Sequence, residues 1–191
     1  VDTLPCAGGS FSDTGAGRCK DIDTGKYGSV DGTAFVVSGA TKQVPCAAGF
    51  YSADGDGDCV QCSKGKFNGS TGAVACTPCS PGKFADTKGK QACSKCTVGS
   101  FADSPGSNVC FDVPSGWFGA DSSGSFAAAP AAAAVQAFPC QGGTFSADGS
   151  TSCTNVQAGN FASIDGKTYA AQGATQEVKC FGGTYSADGT G

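Results

Sequence analysis

The sequence predicts an all-β protein: small disulfide-rich β-hairpin modules stacked into an elongated repeat rod, with little or no helix. Three observations predict it. The chain holds 13 Cys and 31 Gly in 191 residues, its only Leu is Leu4, and it has no Met or His. Apolar residues make up 39%, much of it Ala and Cys, too little large aliphatic surface to offset backbone ordering without covalent help. Finally, the cysteines recur at a fixed interval, the mark of a repeat architecture.

The interval defines the module. Cys6 to Cys19, Cys46 to Cys59 and Cys140 to Cys153 span 13 residues, and Cys62 to Cys76, Cys79 to Cys93 and Cys96 to Cys110 span 14. In each pair a glycine lies three residues after the first Cys (Gly9, Gly49, Gly65, Gly82, Gly99, Gly143). An aromatic lies five after it (Phe11, Tyr51, Phe67, Phe84, Phe101, Phe145), and another glycine four before the second Cys. Three intervening segments keep the template without cysteine. Ile22, Gly25, Tyr27 and Phe35 occupy its positions, as do Val113, Gly116, Phe118 and Phe126, then Val156, Gly159, Phe161 and Tyr169. Both cysteines are replaced together, the first by an aliphatic and the second by an aromatic. That is expected if the two positions touch, and it supports pairing within each module.

A shift of 134 residues carries Cys6, Cys19, Ile22, Phe35 and Cys46 onto Cys140, Cys153, Val156, Tyr169 and Cys180. About ten modules result, in four stretches. Residues 1–45 hold a Cys-pair module, a cysteine-free one and a spacer; 46–110 hold four tandem Cys-pair modules. Residues 111–139 hold a cysteine-free module with an Ala-rich spacer, and 140–191 open the next super-repeat. Cys180 is left unpaired, its partner due two residues past Gly191, and no signal peptide precedes Val1, so a mature fragment is expected.

Each module should form a hairpin: an apolar or cysteine start, Gly-x-aromatic, a polar turn such as Ser52-Ala53-Asp54-Gly55, and a return to the second cysteine. A disulfide closing such a loop contributes roughly 3 kcal/mol in the chain-entropy model. Three spacers break the rhythm: Val36 to Pro45, Ala127 to Pro139 and Ala170 to Lys179. The first and third alternate as edge strands do and are candidates for pairing with a neighbouring sheet or chain. The second reads equally well as a plain linker.

The run Cys62-Ser-Lys-Gly-Lys-Phe67 to Cys76-Thr-Pro-Cys79 and on through Cys93-Ser-Lys-Cys96 to Phe101 resembles the ephrin-receptor-like cysteine-rich repeats. It is also similar to the first submodule of tumour-necrosis-factor-receptor repeats, where the cysteine before Gly-x-aromatic bonds to the next one along. The resemblance covers residues 46–110, with single modules at 6–19 and 140–153. Similar arrays occur in surface and appendage proteins of protists and algae; hosts of the module include receptors, coats and filaments.

Sites of chemistry are sparse. The pairs Cys59/Cys62, Cys76/Cys79 and Cys93/Cys96 have zinc or redox spacing, but they fall where one module abuts the next, so no metal is expected. Asp54, Asp56 and Asp58 alternate like calcium ligands, yet the sixth loop position is Cys59 instead of Gly and no Glu stands at the twelfth; a solvated turn is favoured. Without His, and with carboxylates only in repeated turns, neither catalysis nor a cofactor is expected. Asn68-Gly69-Ser70 is a glycosylation sequon on an expected turn, with Ser and Thr offering O-linked positions. Net charge is −4, with the 12 basic residues read as scattered, which excludes nucleic acid as a partner. The longest apolar run is too short to span a bilayer. An extracellular structural protein that self-associates into a filament, appendage or coat is the leading expectation. The alternative is a ligand-binding ectodomain or adhesin stalk, with Trp117 as its contact residue.

Overall fold

A computed structural model describes residues 4–125, 134–146 and 152–190. Phe126, the alanine run of the second spacer through residue 133, and the turn at Asp148 and Gly149 lie outside the described residues. The chain forms two compact units, Val1–Cys79 with Ala85–Cys93, and Ser80–Phe84 with Ser94–Gly191.

Among the described residues every strand belongs to a two-stranded antiparallel hairpin and no helix is present. In the first unit these hairpins are Ser10–Phe11 with Lys20–Asp21, Lys26–Ser29 with Lys42–Pro45, Phe50–Tyr51 with Val60–Gln61, and Lys66–Phe67 with Thr77–Pro78. In the second they are Lys83–Phe84 with Ser94–Lys95, Ser100–Phe101 with Phe111–Asp112, and Trp117–Ala120 with Gln136–Pro139. Thr144–Phe145 with Thr154–Asn155 and Asn160–Ser163 with Gln176–Lys179 complete the set.

The outgoing strand is the Gly-x-aromatic step. The return strand differs from the expected return to the second cysteine: it is the dipeptide between that cysteine and the next module's first position, as Val60–Gln61 between Cys59 and Cys62. Disulfides Cys6–Cys19, Cys46–Cys59, Cys62–Cys76, Cys79–Cys93, Cys96–Cys110 and Cys140–Cys153 close the loop just inside that strand. A tight two-residue ladder needs its ends brought together, and the bond lowers the entropic cost of doing so.

All three spacers supply the longer return strands of the cysteine-free modules. Each pairs over four residues with its own module's outgoing strand. The second spacer is therefore no plain linker over its described part. All three also reach the module before: Ala40 bridges Phe11, Ala134 bridges Phe101 and Gln172 bridges Gln141.

The core is thin and built from small residues. The residue after each aromatic is Ser, Asn, Ala or Gly, and Ser52, Asn68, Ala85, Ala102, Ser146 and Ala162 are buried there. In the cysteine-free modules the aliphatic first position packs onto this site. A methyl placed on Gly28 would lie 2.9 Å from both Ile22 Cδ1 and Ala40 Cβ. One super-repeat later Val156 packs against Ala162 and Ala174. Ile with Gly in one copy and Val with Ala in the other keep the volume nearly constant, as a close-packed interior requires. Gly28→Ala should therefore cost about 1–3 kcal/mol by overpacking, and adding Ile22→Val should recover most of it. Hydrogen exchange at the Val36 amide, which donates to Gly28 O, reads the local stability; equal exchange in the single and double variants would refute the packing.

Candidate functional site

Successive modules are joined by main chain. The first-position amide of each module donates to the carbonyl of the preceding module's first glycine at 2.7–2.9 Å. Ile22 bonds Gly9, Cys46 bonds Gly25, Cys62 bonds Gly49 and Cys79 bonds Gly65. Cys96, Val113, Cys140, Val156 and Cys180 repeat the bond to Gly82, Gly99, Gly116, Gly143 and Gly159. A second bond runs the other way in sequence: Gly25, Gly49 and Gly65 donate to the carbonyls of Ser52, Asn68 and Ala85 in the module that follows. A third joins Gly72 to Cys46 O and Gly89 to Cys62 O.

These bonds explain the invariant glycine of the template. Gly49 has φ of 88°, a region L-residues avoid, and a Cβ there would collide with the Gly89 carbonyl of the module two further on. The residue must be glycine for conformation and for space.

The cysteine-free loops are held by a carboxylate. Asp31 accepts from Thr33 N, Ala34 N and Ser29 Oγ at 2.8–3.1 Å, and Ser29 Oγ in turn accepts from Gly32 N. Asp165 repeats this with Lys167 N, Thr168 N and Ser163 Oγ, and Asp121 gathers Ser123 N, Ser123 Oγ and Ser125 N. Main-chain and hydroxyl donors hold Asp31 and Asp165 well below the usual carboxylate range, and Asp121 is lowered too.

The paired sulfurs settle the Cys-x-x-Cys spacing. Cys59 is bonded to Cys46 and Cys62 to Cys76, so the two neighbours belong to different loops and neither offers a thiolate. Cys180 is a free thiol, half-buried. Asp54, Asp56 and Asp58 are exposed, with Asp54 Oδ1 accepting from Asp56 N. Asn68 is not on an open turn: it is 8% exposed, and its Nδ2 donates to Phe50 O and Ser70 O, both at 2.8 Å. A sugar on that nitrogen would displace one of these bonds, so attachment has to precede folding. Trp117 is 37% exposed in its strand, its carbonyl accepting from Ser146 Oγ. Among the described residues no group of three or more His, Cys, Asp or Glu is placed to hold a metal ion. No described helix is long and apolar enough to cross a membrane.

The family model described as tyrosine-protein kinase ephrin type A/B receptor-like matches residues 49–89 and 65–112 in two overlapping registers. The matched stretch, residues 49–112, is similar to ephrin receptor-like cysteine-rich repeats. The two registers follow from the fold, since each module is built like the next and the array can be aligned at either of two starting glycines, Gly49 or Gly65. Such repeats are receptor-ectodomain-like modules and not typically catalytic. No curated protein matches the chain.

The sequence pattern missed the buried small residue after the aromatic. Its signal was present: Ser12, Gly28, Ser52, Asn68, Ala85, Ala102, Gly119, Ser146, Ala162 and Ser186 all stand there, nine of them Gly, Ala or Ser.

The carboxylate-held loops make an acid prediction. A carboxylate lowered by folding stabilises the native loop above its unfolded pKa, about 3.9, and that contribution is lost as pH falls toward the folded value. Below about pH 3.9 the Thr33, Ala34 and Thr168 amides should lose exchange protection while the disulfide-closed loops stay protected. Asp31→Asn should abolish the pH dependence at Thr33 and Ala34 alone; acid-independent protection in the unaltered chain would contradict the assignment.

Proposed function

We propose that the chain is a non-catalytic structural segment of an extracellular assembly, a tandem array of modules that associates with copies of itself into a filament, appendage or coat. The observation that carries this is the unbroken main-chain ladder, which repeats one bond at every junction of the described modules. A continuous ladder transmits load from module to module. Disulfides add to it, because tension on a closed loop is carried by the S–S bond while the residues inside stay slack. The cysteine-free modules, held by hydrogen bonds and Asp31, Asp121 or Asp165, are then the extensible length. The density of disulfides and the ephrin receptor-like repeats support an oxidising, extracellular setting. Glycans on exposed Ser and Thr, or on Asn68 if added before folding, would cover the polar turns.

The second reading, a receptor ectodomain or adhesin stalk, is favoured by one feature, the partly exposed Trp117 on a strand of a cysteine-free module. Electron microscopy of native, unreduced material separates the two. Long fibres with an axial period matching one super-repeat, unchanged by Trp117→Ala, are the expected result; dispersed single molecules would overturn the structural reading.

A further inference from the structure

The basic residues are not scattered. Lys64, Lys66, Lys83, Lys88, Lys90 and Lys95, half of the 12, lie in the tandem modules between Cys62 and Cys96, where Asp86 is the one acid. The stretches on either side are acidic. Within the first unit this contrast meets at one place. Tyr51 and Val60 stand opposite each other in their hairpin, and Val60 is 53% exposed. The pair lines two adjoining grooves. One, of about 550 Å³, carries Lys66 and Lys88; the other, of about 380 Å³, carries Asp54, Asp56 and Asp58. All five charged residues are exposed. None takes part in the ion pairs found among the described residues, which are Lys20–Asp13, Lys26–Asp23 and Lys90–Asp86.

A patch with an apolar pair flanked by one basic and one acidic groove is complementary to itself. A two-fold axis through Tyr51 and Val60 lays the acidic groove of one copy on the basic groove of the other, twice over, as an isologous interface demands. We propose that this patch is a docking surface for a second copy of this chain, with Tyr51 and Val60 packing at the centre and Asp54, Asp56 and Asp58 facing Lys66 and Lys88 of the opposite copy. The apolar pair supplies burial, and the charges set orientation and reject other registers. This rests on the self-association reading and names one surface it would use, the one that pairs two copies, while growth into a filament takes a further, head-to-tail contact.

Charge reversal tests it, because exposed charges can be exchanged without touching the core. Sedimentation equilibrium of the unaltered chain should show a dimer that weakens as salt rises from roughly 0.05 M to about 0.5 M. Lys66→Glu with Lys88→Glu, and separately Asp54→Lys with Asp56→Lys and Asp58→Lys, should each weaken it by about tenfold or more. An equimolar mixture of the two variants should restore association, since reversed grooves then face each other. A chain that dimerises equally well in both variants, or a mixture that stays monomeric, would overturn the surface while leaving assembly through another face intact. A chain monomeric at every salt concentration would also overturn it, and native fibres seen by microscopy would still uphold the self-association reading.

Discussion

The amide at the first position of each module and the carbonyl of the glycine before it form the bond on which the other features depend. It closes the hairpin of one module with the opening residue of the next, so no described module is complete without its successor. The glycine that accepts this bond is required for a separate reason at Gly49, where φ is 88° and the Gly89 carbonyl of the module two further on leaves no room for a Cβ. The residue after the aromatic serves the same junction, its carbonyl receiving the glycine N–H of the preceding module at Ser52, Asn68 and Ala85, and it is small because its side chain is buried. A thin core of Ser, Ala and Cys suffices because each module need only cover its neighbour.

Loop closure is solved in two ways on this common frame. Where cysteines are present, the covalent bond restricts the unfolded loop. Where they are absent, a longer return strand of four residues and a carboxylate collecting several donors replace it. Covalent closure is insensitive to acid and sensitive to reduction; carboxylate closure is the reverse. An array that mixes both does not lose all its modules to a single chemical insult.

The hairpin class and module type were legible in the sequence because glycine, aromatic and cysteine sit at fixed offsets, and each has few conformational alternatives. The return strand was not legible. Val60–Gln61 and Thr77–Pro78 share no side-chain pattern, since their role is carried by main-chain groups. The strand at Gln136–Pro139 was obscured by the alanine run before it, although it pairs over four residues with Trp117–Ala120 and brings the Phe118 and Phe138 rings to 6.1 Å between centroids. Asn68 reads as a turn sequon by composition, whereas the fold uses its amide to bond Phe50 O of the preceding module. Cross-module demands of this kind leave no local signal. The lysine concentration was plainly present in the sequence, whereas the groove that Lys66 and Lys88 share with Tyr51 and Val60 was not.

Amide hydrogen exchange on the oxidised chain, resolved at the first positions, tests the ladder most directly. Ile22, Val113 and Val156 should exchange as slowly as Cys46, Cys62, Cys79, Cys96 and Cys140, because the same main-chain bond protects all of them. Slow exchange at the cysteines alone, with the three aliphatic positions exchanging like solvated loop, would show that disulfides and not the ladder hold the modules together.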